Sequence, residues 1–151
     1  MNLLDYTIKT GFLPQLKCDS LDEVVAQLVA PLTAAGEVAH GPDLVAEVMR
    51  REREGSTAIG GGLVIPHARL AQVATLRLVV GTLAVPIDLG ADDQRAVDVA
   101  ILLVGPLGDS RQMLRVLARL ARLVKDDVFL GTLRSSQTPS NLFESFALGS
   151  S

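Results

Sequence analysis

An arginine, two hydroxyls, a run of glycines and a histidine fall close together between Arg51 and His67 of this chain. They read Arg51, then Gly55-Ser56-Thr57, then Gly60-Gly61-Gly62, then the apolar run Leu63-Val64-Ile65-Pro66, and finally His67. These are the groups that handling a phosphoryl group requires. Imidazole is the side chain most readily neutral, and so nucleophilic, near working pH. A guanidinium offsets phosphate charge, while hydroxyls and backbone N–H groups donate hydrogen bonds to its oxygens.

Several better-known chemistries do not fit the same stretch. Gly55 to Gly60 match the first half of a nucleotide-binding P-loop, but Gly61 and Gly62 follow where Lys and Ser or Thr are needed. The loop also runs from a helix into a strand, the reverse of both the P-loop and the dinucleotide fingerprint. A Ser-His-Asp hydrolase has Asp88 and Asp98 available by composition, yet no nucleophile-elbow motif is present. Two histidines and one cysteine leave no metal-ligand pattern, so no metal and no cofactor is expected. His40, ahead of Gly41-Pro42, reads as a surface residue. The loop itself has two readings: an oxyanion cradle, or a turn whose Ser and Thr satisfy local backbone groups. His67 likewise reads as structural or as a ligand-side residue at a strand's end.

The totals narrow the setting. A length of 151 residues suits one domain. Aromatics are 3% of a chain that is 48% hydrophobic, so Leu, Val, Ile and Ala must fill the core. A net charge of −3 argues against nucleic acid as a partner. The lone Cys18 excludes an internal disulfide and points to a reducing, cytoplasmic setting. The N-terminus lacks a signal peptide's basic head and apolar centre, and no apolar run reaches the ~20 residues that span a bilayer. A soluble protein without membrane insertion is expected.

The elements that must position these groups follow from pattern. Residues 1–18 are ambiguous, with a short strand open at Pro14–Cys18. Asp19 or Ser20 caps a helix that Pro31 should kink or interrupt before Gly36 ends it. A second helix starts at Gly41-Pro42 and stops at Gly55. The period then changes, and Leu63–Pro66, Leu76–Ala84 and Val97–Val104 read as buried strands. Asp109 or Ser110 caps a helix to about Val124. Asp126–Leu133 reads as a turn or two of helix, and Pro139 opens a last helix to Leu148. Residues 1–148 are expected to form one α/β domain, a mixed sheet flanked by helices on both faces in three layers. Gly149-Ser150-Ser151 reads as a loose tail.

The string RExxGST…GGGLVIPH, taken with LxxLARLARLVKDD downstream, resembles the active-site signature of EIIA domains of the bacterial phosphotransferase system, fructose–mannitol type. That group includes nitrogen-regulatory members. The resemblance covers essentially the whole chain and couples Arg51, Gly55-Ser56-Thr57 and Pro66-His67 at the family's spacing. It implies that His67 accepts a phosphoryl group from the phosphocarrier HPr or its nitrogen-branch counterpart, with Arg51 beside the phosphohistidine. Ser56 or Thr57 and backbone N–H groups would stabilise the phosphate. EIIB or a regulated target protein is the further partner implied. With no EIIB or EIIC segment in the sequence, a free-standing regulatory member fits better than a sugar-specific carrier.

One position departs from the family. It usually carries a second active-site histidine where this sequence has Met113, which cannot donate a hydrogen bond to phosphate. A missing donor of this kind typically costs about 10²–10³ in rate, so an EIIA-fold binding module with weakened or lost phosphotransfer is the alternative reading. At about 100° per residue, Met113 shares a face with Val116, Leu117 and Leu120, while Arg111, Arg115 and Arg122 project away. Arg119, between the faces, and Gln112, on the flank, are the candidate substitutes. A third reading is a small-molecule sensor that uses the Gly-rich loop as an anion pocket.

Overall fold

The computed structural model describes residues 1–108 and 110–150. Among them, a six-stranded mixed sheet runs in the order β1-β5-β6-β3-β2, with β4 pairing β6 beside this path. The strands are β1 (Thr7–Leu16), β2 (Ala58–Gly60), β3 (Leu63–Val64), β4 (His67–Arg69), β5 (Arg77–Ile87) and β6 (Val97–Gly105). The helices are α1 (Leu21–Ala34), α2 (Gly41–Glu54), α3 (Arg111–Leu123), α4 (Asp127–Ser135) and α5 (Pro139–Ser150). The expected three-layer α/β architecture is the observed one.

Strand β6 shows why the sheet needs cover on both faces. Val99 through Val104 are fully buried, a continuous apolar run of the kind that marks a central strand. Successive side chains alternate between faces. Ala100, Leu102 and Val104 join Val25, Leu28, Leu44 and Val48 of α1 and α2. Val99, Ile101 and Leu103 join Val116, Leu120, Leu130 and Phe146 of α3, α4 and α5. Two separate cores result, divided by the sheet.

The helix boundaries follow local chemistry. The Ser20 side chain accepts from the Glu23 amide at 3.3 Å, capping α1. Pro31 does not interrupt that helix, which continues to Ala34. Beyond it, the Gly36 amide donates to Thr33 O and the Glu37 amide to Leu32 O, the paired bonds of a Schellman stop. Asp109, one of two caps expected for α3, lies outside the described residues. The other, Ser110, occupies the N-cap position without a side-chain cap bond.

Four expectations are corrected. The ambiguous N-terminus contains a ten-residue strand, β1, at the sheet's edge, parallel to β5. Pro14 and Gly11 obscure its pattern, and both are tolerable on an edge. The strand expected at Leu63–Pro66 ends at Val64, and Pro66, which has no N–H for the ladder, separates it from β4. Pairing with β6 resumes at His67, opposite Leu103, so the histidine lies within a strand. Ala58–Gly60 adds an antiparallel partner for β3 that was not expected. Gly149 and Ser150 belong to α5, and Ser150 is fully buried. A side chain at Gly149 would overlap the Phe129 ring, so this end is packed and not loose; Ser151 lies outside the described residues.

Candidate functional site

Ala68 points into the α1–α2 core, so the two-residue strand period turns its neighbours His67 and Arg69 to the other face. Beside them is a cavity of about 650 Å³. Helix α2 supplies Glu47, Arg50 and Arg51 to its wall, and α3 with the segment before it supplies Leu107, Ser110, Met113, Leu114 and Leu117. Leu107 and Leu114 are more than half exposed, giving the mouth an apolar rim.

The state of His67 is fixed by one bond. Its Nδ1 lies 2.8 Å from the carbonyl oxygen of Ile65. A carbonyl can only accept, so Nδ1 carries the proton and donates it. Nε2 is then left with the free lone pair. Burial pushes the imidazole pKa below its ordinary 6.5; the Ile65 bond opposes this, Arg51 adds to it, and Glu52 opposes it more weakly. Burial thus favours the neutral ring, and with Nδ1 donating to Ile65 that ring is one tautomer, its lone pair on Nε2. No carboxylate bonds Nδ1, so the hydrolase triad is not assembled. Asp98 pairs instead with Arg134 at 2.6 Å, and Asp88 accepts from the Gly90 amide at 2.9 Å.

The cations differ in how far they are already satisfied. Arg50 binds Glu47 at 2.7 Å and Glu54 at 2.6 Å, which raises its own pKa and lowers that of Glu47. Arg51 lines the same cavity as His67 and donates from one nitrogen to the Gly55 carbonyl at 3.1 Å. Arg69 donates to the carbonyls of Leu107 and Gly108 at 3.4 and 3.3 Å. Among the described residues, neither Arg51 nor Arg69 has a carboxylate partner. Among the described residues the cavity thus combines two guanidiniums whose partners are carbonyls with an imidazole whose charged form is disfavoured.

The hydroxyl pair divides. The Thr57 side chain is buried and donates to Glu52 Oε1 at 2.6 Å, while its amide donates to Glu52 Oε2 at 2.7 Å. With its proton engaged, this hydroxyl is not a phosphate donor in the observed arrangement. Its role is indirect. The Thr57 carbonyl accepts from the Ile65 amide, and the Ile65 carbonyl accepts from His67. Glu52 and Thr57 therefore anchor the residue, Ile65, whose carbonyl accepts from the imidazole. Ser56 is exposed; its oxygen accepts from the Ala58 amide at 3.1 Å, which leaves the hydroxyl proton available, but it does not line the cavity.

The two suggested substitutes for a second histidine are both elsewhere. Gln112 reaches the Tyr6 hydroxyl at 3.5 Å, and Arg119 donates to Met1 O at 3.2 Å and Ser150 O at 2.8 Å. Arg119 ties the N-terminus to the end of α5, and neither lines the cavity. Met113 does line it, with 6% of its surface exposed. Met113 and His67 thus share one cavity. Sequence reading missed Arg69, Ser110 and the function of Glu52. For Arg69 the signal was present, since a strand residue two places past His67 must share its face. His40 is a surface residue as expected, its Nδ1 3.2 Å from Asp43.

No group of three or more His, Cys, Asp or Glu side chains among the described residues is placed to hold a metal ion. No helix among them is long and apolar enough to cross a membrane.

Comparison with known proteins places the chain in a family. Residues 8–148 match the family model described as phosphoenolpyruvate-dependent sugar phosphotransferase system, EIIA 2. The nitrogen regulatory protein of Bradyrhizobium diazoefficiens is 33% identical over 149 residues, covering 98% of this chain and 96% of that protein. The crystal structure of the nitrogen regulatory protein IIA-Ntr from Neisseria meningitidis superposes with a TM-score of 0.84 at 20% identity, over 93% of this chain and 96% of that one. A second structure, IIAMtl of Escherichia coli in complex with phosphorylated IIBMtl, superposes with a TM-score of 0.74 at 16% identity, over 91% of this chain and 94% of that one. At those identities the two structures speak for the fold, while the family model and the 33% relative speak for kinship: this chain belongs to the type 2 EIIA family of the phosphotransferase system.

Proposed function

We propose that this protein accepts a phosphoryl group on Nε2 of His67 from a phosphohistidine on an HPr-like carrier, and acts as a regulatory member of the nitrogen type. In the transfer, the P–N bond of the donor breaks as the Nε2 lone pair forms a new one. The donor nitrogen keeps its electron pair, and Nδ1 of His67 keeps its proton on Ile65 O. Such a step needs positioning and charge compensation more than covalent assistance. The observation that carries the reading is the Nδ1–Ile65 bond, which leaves Nε2 nucleophilic in a cavity shared with Arg51. The exposed Leu107 and Leu114 at the mouth suit a protein donor better than a small polar one. The nitrogen assignment rests on the full-length likeness to a nitrogen regulatory protein. EIIB or a regulated target is the downstream partner of this reading.

Incubation with phosphoenolpyruvate, the first phosphotransferase enzyme and a carrier should place an acid-labile, base-stable phosphate on wild type and none on His67→Ala. Wild type left unlabelled after long incubation contradicts the proposal. One observation favours a second reading, a binding module that has lost transfer: Met113, at the position where the resemblance implies a second histidine, lines the cavity.

A further inference from the structure

A phosphoryl group on a side chain carries close to two negative charges at neutral pH. On the acceptor reading just proposed, Arg51 offsets one of them, and Met113 offers nothing to the other. Arg50 is already engaged with two glutamates. Arg69 is not engaged in that way. Its bonds to the Leu107 and Gly108 carbonyls are long, at 3.4 and 3.3 Å, and both go to neutral acceptors. Strand β4 sets it two residues beyond His67 on the same face, roughly 6–7 Å along the strand, within reach of a flexible arginine side chain. Charge-assisted bonds to phosphate oxygens are about twice as strong as neutral ones. A phosphoryl group on His67 therefore outcompetes the two carbonyls.

We propose that Arg69 is the second phosphate-binding guanidinium of this site, leaving Leu107 and Gly108 to clamp the phosphoryl group on His67. It supplies the countercharge that Met113 cannot. The exchange also frees the segment carrying Leu107, so phosphorylation is reported to the apolar rim of the cavity mouth.

The test compares wild type, Arg69→Gln and Arg69→Lys, each checked by thermal melting. Each is phosphorylated through the carrier and, separately, by phosphoramidate, which needs no carrier. Arg69→Gln should slow carrier-driven labelling on the order of tenfold to a hundredfold. In ³¹P NMR the second ionisation of its phosphohistidine should move up by about one pH unit, and Arg69→Lys should restore part of both effects. A merely structural arginine would leave that ionisation where it is. In wild type, the Leu107 and Gly108 amide resonances should shift on phosphorylation, a measurement that stands even if a variant does not fold. Wild-type rates and an unchanged ³¹P titration in Arg69→Gln, or unmoved Leu107 and Gly108 amides in wild type, overturn the Arg69 role while leaving His67 as acceptor. Wild type that takes no phosphate from either donor overturns the acceptor reading and this inference together.

Discussion

Among the described residues, two places gather groups that suit an anion, and they differ in what already fills them. The first is the glycine turn at 60–62, where three successive residues have positive φ. That turn already holds an anion, the protein's own. The Gly61 amide donates to Asp93 Oδ2 at 2.8 Å, and bonds from Gly61 and Arg95 hold the Asp93 carboxyl below its ordinary range. Arg134 closes the other side, binding the Gly61 carbonyl and Asp98. The second place is the His67 cavity, where among the described residues Arg51 and Arg69 have no carboxylate partner, while Arg50 is paired with Glu47 and Glu54. The lesson is that glycine-rich composition marks capacity for an anion, and the partners already supplied decide whether the capacity is spent on folding or kept for a ligand.

That contrast can be broken at either end. The largest effect is expected in the turn. Gly62 has φ +78°, and a Cβ there would sit 2.7 Å from Arg134 Nη2 and 2.8 Å from Asp98 Oδ1. Gly62→Ala should cost about 2–4 kcal/mol, from left-handed strain and disturbance of that half-buried pair, and chemical denaturation would measure it. A loss under half a kcal/mol would mean the turn is not structural.

In the cavity, Met113→His should speed carrier-driven phosphorylation by about tenfold or more by restoring a donor. Stopped-time labelling checks this, and an unchanged rate would remove Met113 from the account. A smaller effect concerns Glu52, which holds Thr57 and, through it, the Ile65 peptide. Glu52→Ala should destabilise by about 1–3 kcal/mol through the orphaned Thr57 groups and slow labelling several-fold. A variant that melts early but labels at full rate would show that the tautomer is set without Glu52.

The pH dependence separates the two sites further. The pKa of folded His67 lies below its unfolded value of 6.5, so the unfolded chain binds more protons between the two. The contribution is complete above pH 6.5 and is lost as pH falls through the folded value. Stability should therefore decline on acidification below 6.5, and His67→Gln should remove that part of the slope. Asp93 behaves as a depressed carboxylate, its contribution present above 3.8 and lost as pH falls further. The smallest effect is on function: Asp93→Asn should leave the labelling rate unchanged, whereas a large loss would mean that the turn serves the reaction.

Much of this was legible in the residues because the helices are locally specified. Ser20, Gly36 and Pro42 mark the ends of α1 and the start of α2, and the face of α3 bearing Met113, Val116 and Leu120 is buried as its spacing requires. The edge strand β1 was not legible. Its pairing comes from β5, and Gln15 tolerates φ 56° because its backbone amide bonds Thr82 and its side chain bonds Arg134 O and Ser136 O. Those partners are distant in the chain. In the site, His67, Arg51 and Met113 were identifiable as a set and share one cavity. Thr57, with Ser56, is a candidate phosphate donor by sequence because a hydroxyl in a glycine-rich loop suggests a free donor; nothing local reveals that Glu52 has taken the Thr57 proton. Gln112 and Arg119 failed for a similar reason, since their partners at Tyr6, Met1 and Ser150 lie at the chain's ends.

The central claim is that a neutral imidazole, protonated at Nδ1 by its bond to Ile65, presents Nε2 to phosphate. Long-range ¹H–¹⁵N NMR on protein carrying ¹⁵N-labelled histidine tests it directly, before and after incubation with the phosphorylated carrier. The expected result is an Nδ1–H tautomer in the free protein and phosphorus attached to Nε2 of His67 afterwards. Phosphorus on Nδ1, or a His67 ring already doubly protonated at neutral pH, would contradict it.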